Sequence, residues 1–108
     1  MTIRVEEYLR ADGSSPFRRW FNVLPSDAVP RVARAISRLE SGNTSAVKWF
    51  RGIGELRIHS GPGYRVYLLQ DGAELILLLG GGTKRRQQRD IADALSLRQE
   101  YRLFKRKE

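Results

Sequence analysis

The chain has 108 residues, 41% of them hydrophobic, which suits one domain with one core (residues 1–108) and is too short for two. Lys and Arg number 20 against 12 Asp and Glu, a formal charge of +8 that favours polyanionic partners, nucleic acid first among them. Cysteine is absent, which excludes a disulfide framework and thiolate metal sites. The N-terminal MTIRVEEYLRADG lacks the apolar core of a signal peptide, and no run approaches the roughly 18 apolar residues of a membrane span, so a cytoplasmic protein without a membrane partner is expected.

In chain order, Thr2 to Leu9 alternates apolar and polar residues up to the turn signal Asp12-Gly13, predicting a short half-buried strand. Ser15-Pro16 reads as an N-cap and first helical position, and Phe17, Trp20, Phe21 and Leu24 follow at amphipathic helix spacing. A second helix is expected to start near Ser26, because Pro30 is tolerated only within a first turn. Val29, Val32, Ala33, Ile36 and Leu39 form its stripe, Arg31, Arg34 and Arg38 lie outside it, and Gly42 stops it; the two helices are expected to pair as a hairpin. Asn43 to Gly54 reads as a loop pinned to the core by Trp49 and Phe50.

Beyond it, Leu56, Ile58 and Ser60 alternate with Arg57 and His59, Gly61-Pro62-Gly63 turns the chain, and Tyr64 to Leu69 returns as a strand. Asp71-Gly72 makes the next turn, and the apolar run from Leu75 to Leu79 predicts a central strand covered on both faces. Gln88 to Lys107 is expected to be a last helix with Ile91, Ala94, Leu95, Leu97, Tyr101 and Phe104 on its apolar side. The order β-α-α-β-β-β-α predicts an α+β fold with a small, antiparallel-rich meander sheet packed by helices.

Strand alternation places Arg65 and Tyr67 on one face, and with Arg57 and His59 they are expected to share an exposed surface that Lys84, Arg85 and Arg86 approach after Gly80. Guanidinium forks suit the charge that develops on a phosphate during transfer, and they suit simple phosphate binding equally. His59 is the only histidine, so a multi-histidine metal centre is excluded, and the carboxylates at Glu55, Asp71, Glu74, Asp90 and Asp93 show no ligand pattern. Neither a metal nor another cofactor is expected. His59 could act as a general base or be an incidental surface residue. Asp90 reads equally well as a helix N-terminal charge or as a catalytic group. Gly80-Gly81-Gly82 permits close backbone approach but lacks the spacing of a P-loop.

These segments resemble the RelE/ParE toxin superfamily, and within it the HigB-like, phage-derived addiction module killer branch. The resemblance rests on ELRI at Glu55 to Ile58, GPGYRVY at Gly61 to Tyr67, LLLGGGTK at Leu77 to Lys84, and the start of the last helix at Gln87 to Ile91. It implies a RelE-like, microbial ribonuclease-type fold and a type II toxin–antitoxin toxin: a metal-free mRNA interferase, ribosome-dependent, that blocks translation and arrests growth. Its 2′-hydroxyl attack would leave a 2′,3′-cyclic phosphate. By that resemblance Arg65 binds the scissile phosphate, Lys84 or Arg85 stabilises the transition state or the leaving group, and Arg57 helps activate the hydroxyl, with His59 a further catalytic candidate. Tyr67, Arg86, Gln88, Arg89 and Asp90 are the candidate RNA contacts. RelE-branch relatives use a tyrosine near the start of the last helix for stacking or proton transfer; here Gln88, Asp90 and Ile91 stand there, so Tyr67, His59 or Asp90 would have to serve as the base. The implied partners are mRNA, the ribosome and a small helix-turn-helix antitoxin. The alternatives are a ParE-like inhibitor of DNA gyrase and a basic nucleic-acid-binding module without chemistry.

Overall fold

A computed structural model of the chain describes residues 2–106. Its elements are β1 (Arg4–Glu7), α1 (Pro16–Phe21), α2 (Val29–Glu40), β2 (Val47–Phe50), β3 (Ile53–Ile58), β4 (Tyr64–Asp71), β5 (Leu75–Thr83), a 3-10 turn (Lys84–Arg86) and α3 (Gln87–Arg106). The five strands form one sheet in the order β1-β5-β4-β3-β2. β2 to β5 run antiparallel as a meander, and β1 joins the far edge parallel to β5. The class is α+β, as expected, with a mixed sheet. Lys107, assigned above to the last helix, lies outside the described residues. No helix among the described residues is long and apolar enough to cross a membrane.

Two cores flank the sheet because successive strand residues point to opposite sides. On one face Leu56, Val66, Leu68, Ile76 and Leu78 meet Phe17 of α1 and Val32 and Leu39 of α2. On the other, Tyr67, Leu69, Leu77 and Leu79 meet Ala94 and Leu97 of α3. The apolar run in β5 is thus covered on both sides, as its composition requires. Ser15 caps α1, accepting a hydrogen bond from the Arg18 N–H at 3.0 Å, with Pro16 beside it. Pro30 sits in the first turn of α2, which begins at Val29 rather than near Ser26. The principal contacts of both helices are with strands, α1 lying on β5 and α2 on β1 and β3, so the sheet rather than a helical hairpin holds them. Ala33 is exposed, and Ala35 takes the inward position.

The expected loop from Asn43 to Gly54 contains a strand instead. β2 pairs with β3 from Val47↔Leu56 to Phe50↔Ile53, closed by Arg51-Gly52, both at positive φ (54° and 86°). Two residues with φ > 0 make the tight hairpin turn that matches strand twist. Phe50 packs against the α3-side core, whereas Trp49, on the other side of β2, lies over Gly54 and stays 44% exposed rather than buried. Phe104, expected on the buried side of α3, is likewise exposed. The body of α3 is tied down by polar contacts: the Tyr8 hydroxyl donates to Glu100 at 2.5 Å, and Tyr101 and Lys105 both donate to Asp71.

Candidate functional site

The β3–β4 register sets Arg57 directly opposite Arg65 and Glu55 directly opposite Tyr67. Like charges facing each other across a strand pair are destabilising, so this pairing needs a counter-charge. Glu55 supplies it. Arg57 Nε donates to Glu55 Oε1 at 3.0 Å, and Arg65 Nε lies 3.7 Å from Oε2, an ion pair without a hydrogen bond. The Tyr67 hydroxyl (3.1 Å) and Gln87 Nε2 (2.9 Å) donate to the same Oε2. Burial at 1% exposure would by itself raise the Glu55 carboxyl, but the bonds from Gln87, Arg57 and Tyr67 outweigh it and hold the group below the ordinary carboxylate range. Glu55 is therefore an ionised structural hub. Burial, with the Glu55 carboxylate beside it, pushes the Tyr67 phenol well up and keeps it protonated.

The two arginines differ in access. Arg65 is buried, its Nη1 donating to the Gly63 carbonyl at 3.0 Å, and its Nε has no hydrogen-bond partner. The expected exposed position for Arg65 is therefore corrected: the β3–β4 surface on that side is roofed by the start of α3, through Gln87, rather than open to solvent. Arg57, with its side chain 39% exposed, is the member of the pair that solvent reaches.

At the end of β5, Tyr64↔Thr83 and Arg65↔Gly82 pair, so Lys84, Arg85 and Arg86 leave the sheet next to Arg65. They form the exposed 3-10 turn and make no ion pair among the described residues. A register shift between Tyr67 and Leu68 re-aims the glycines: a Cβ at Gly81 would strike the Trp20 ring and one at Gly82 the Asp90 carboxylate. Glycine is thus needed for close packing on both sides of this strand end. Asp90 lies in α3 beside a cleft of about 140 Å³ lined also by Tyr67, Gly80 and Gly81. Burial raises its carboxyl above the ordinary value against the pull of Arg86, with Asp93 reinforcing the rise, and its Oδ2 has no hydrogen-bond partner. Buried polar atoms without partners are uncommon in folded proteins.

Of the residues singled out in the sequence, the fold unites Arg57, Arg65 and Tyr67, with Lys84 to Arg86 at the adjoining strand end and Asp90 behind Gly82. Gln88 and Arg89 are exposed on the first turn of α3. His59 lies past the end of β3, exposed, in a cleft beside α2 that Arg57 also lines. Sequence reasoning passed over Glu55 and Gln87. The signal for Glu55 was its place two residues before Arg57, which puts both on one strand face; Gln87 carried none. Among the described residues no group of three or more His, Asp or Glu side chains is placed to hold a metal ion.

No protein-family model matches the chain. An uncharacterized protein of Haemophilus influenzae is similar to it, 39% identical over 105 residues, covering 95% of this chain and 100% of that protein.

Proposed function

The chain belongs to one family with the Haemophilus influenzae protein, and for this chain we propose a RelE-like, metal-free endoribonuclease that acts as the toxin of a type II toxin–antitoxin system. The observation that carries the reading is the buried Glu55 carboxylate holding two facing guanidiniums at a strand end flanked by three exposed cations. Fixed cationic donors of this kind stabilise charge developing on a phosphate without having to reorganise during reaction.

In the proposed step the 2′-oxygen of RNA attacks the adjacent phosphorus, the P–O5′ bond breaks, and a 2′,3′-cyclic phosphate and a 5′-hydroxyl result. Arg57, the accessible guanidinium, meets the non-bridging oxygens, and Arg65 adds positive potential from beneath. Lys84 and Arg85 close the phosphate from the end of β5. The 2′-hydroxyl gives its proton to a solvent water, and the leaving 5′-oxygen gains one. Tyr67, held protonated, is unsuited as the base. Asp90, set behind Gly82 with its Oδ2 unpartnered, takes the donor role. The substrate is mRNA in the ribosome, and the silencing partner is a small helix-turn-helix antitoxin that covers these cations.

Purified protein added to translating ribosomes is expected to cleave mRNA and leave cyclic-phosphate ends, with Arg57→Ala and Arg65→Ala each slowing cleavage by about 10²-fold to 10³-fold. Intact message in that assay would sink the proposal. Inhibition of gyrase supercoiling by the same preparation would replace it with the ParE-like alternative.

A further inference from the structure

We infer that the cleft between α2 and the end of β3 is a second phosphate-binding site, one that holds the RNA backbone flanking the cut; the inference rests on the RNA reading above. Arg31, Arg34 and Arg38 recur every three or four residues and so project from one side of α2. They form one wall of a cleft of about 540 Å³, and Arg57, His59 and Ser60 form the other. The cleft stays open because β2 pairs with β3 only as far as Leu56, which leaves the following residues without a strand neighbour on that side.

The lining sets this cleft apart from two others of similar size, which carry Glu6, Glu7 and Glu40 in one and Asp71 and Glu74 in the other. Some surface arginines have carboxylate partners, as Arg4 with Glu6, Arg10 with Glu100 and Arg18 with Glu7. Arg31, Arg34 and Arg38 make no ion pair among the described residues, and no Asp or Glu lines the cleft. Concave, acid-free walls of one sign concentrate potential and recruit polyanions. One observation favours RNA over an acidic peptide. Arg57 belongs both to this cleft and to the Glu55 network, so one cationic track runs from α2 to the candidate cleavage site.

The test is equilibrium binding of a fully 2′-O-methylated RNA, which cannot be cut, by fluorescence anisotropy across a salt series. The double substitution Arg34→Gln/Arg38→Gln alters two exposed side chains, and circular dichroism verifies the helix. It is expected to weaken binding at least tenfold at about 0.1 M salt and to reduce the log–log salt slope by about 1.4, the amount for two lost single-strand phosphate contacts. Arg34→Lys/Arg38→Lys should restore most of the slope. An unchanged slope in the Gln variant, or displacement of the RNA by poly-glutamate of equal charge at equal concentration, would overturn the inference. RNA bound with the expected slope but left uncut in its unmodified form would remove the nuclease reading and leave this site standing.

Discussion

The two faces of the sheet are made from alternate residues of the same strands, yet they solve burial differently. Against α1 and α2 the strands present Leu56, Val66, Leu68, Ile76 and Leu78, and the core there is held by apolar packing. Against α3 the same strands present Leu69, Leu77 and Leu79 toward one end and Glu55, Arg65 and Tyr67 toward the other. The first face depends on shape and apolar area. The second depends on a single carboxylate that satisfies four donors or charges, so its integrity is tied to one ionisation state. The contrast explains how Arg65 can be buried with Arg57 facing it, and it makes the two faces respond differently to substitution and to pH.

Removing the hub should have the largest effect. Glu55→Ala leaves two guanidiniums facing each other with the Tyr67 hydroxyl and Gln87 amide unpaired, a loss of about 3–5 kcal/mol on urea unfolding. Because the folded-state carboxyl of Glu55 lies below its unfolded value of 4.5, its stabilisation is full above that pH and is lost as pH falls through the folded value. Glu55→Gln should therefore flatten the acid limb of the stability curve relative to wild type; an unaltered limb would break the comparison. Leu68→Ala on the opposite face is expected to cost about 3 kcal/mol, with the same decrement at pH 4 and pH 7. A strongly pH-dependent decrement there would show that the two faces are not independent. The smallest change should be a gain. The raised Asp90 carboxyl means that its ionised form is penalised in the folded protein, so Asp90→Asn should raise the melting temperature at pH 7 and lose that advantage below about pH 3.8, while slowing cleavage.

Much of this was legible in the residues. The unbroken apolar run of β5 announces a strand covered twice, and alternation in GYRVYLL separates Arg65 and Tyr67 from Val66 and Leu68 before any coordinates are known. β2 was not legible, because its hairpin closes with Arg51-Gly52 where Asn-Gly or Asp-Gly is the usual signal, and its half-exposed Trp49 mimics a buried anchoring ring. The burial of Arg65 was hidden for another reason. Alternation says which face a residue takes, but only the docking of α3, through Gln87, decides whether that face meets water. A charged residue on a strand is exposed by default, and the exception requires a partner carboxylate, which the place of Glu55 two residues before Arg57 identifies only once the strand register is known.

The parallel pairing of β1 with β5 joins Arg4 to Leu75, a partner that arrives about 70 residues later in the chain. A chain emerging from its N-terminus must keep that first strand unpaired while both helices and three strands are made. The arginine pair waits still longer, since Gln87 completes the bonding of Glu55 only after the whole sheet has formed. Assembly order thus matters for this network: the bonding around Glu55 is complete only once β5 and the start of α3 have joined the sheet.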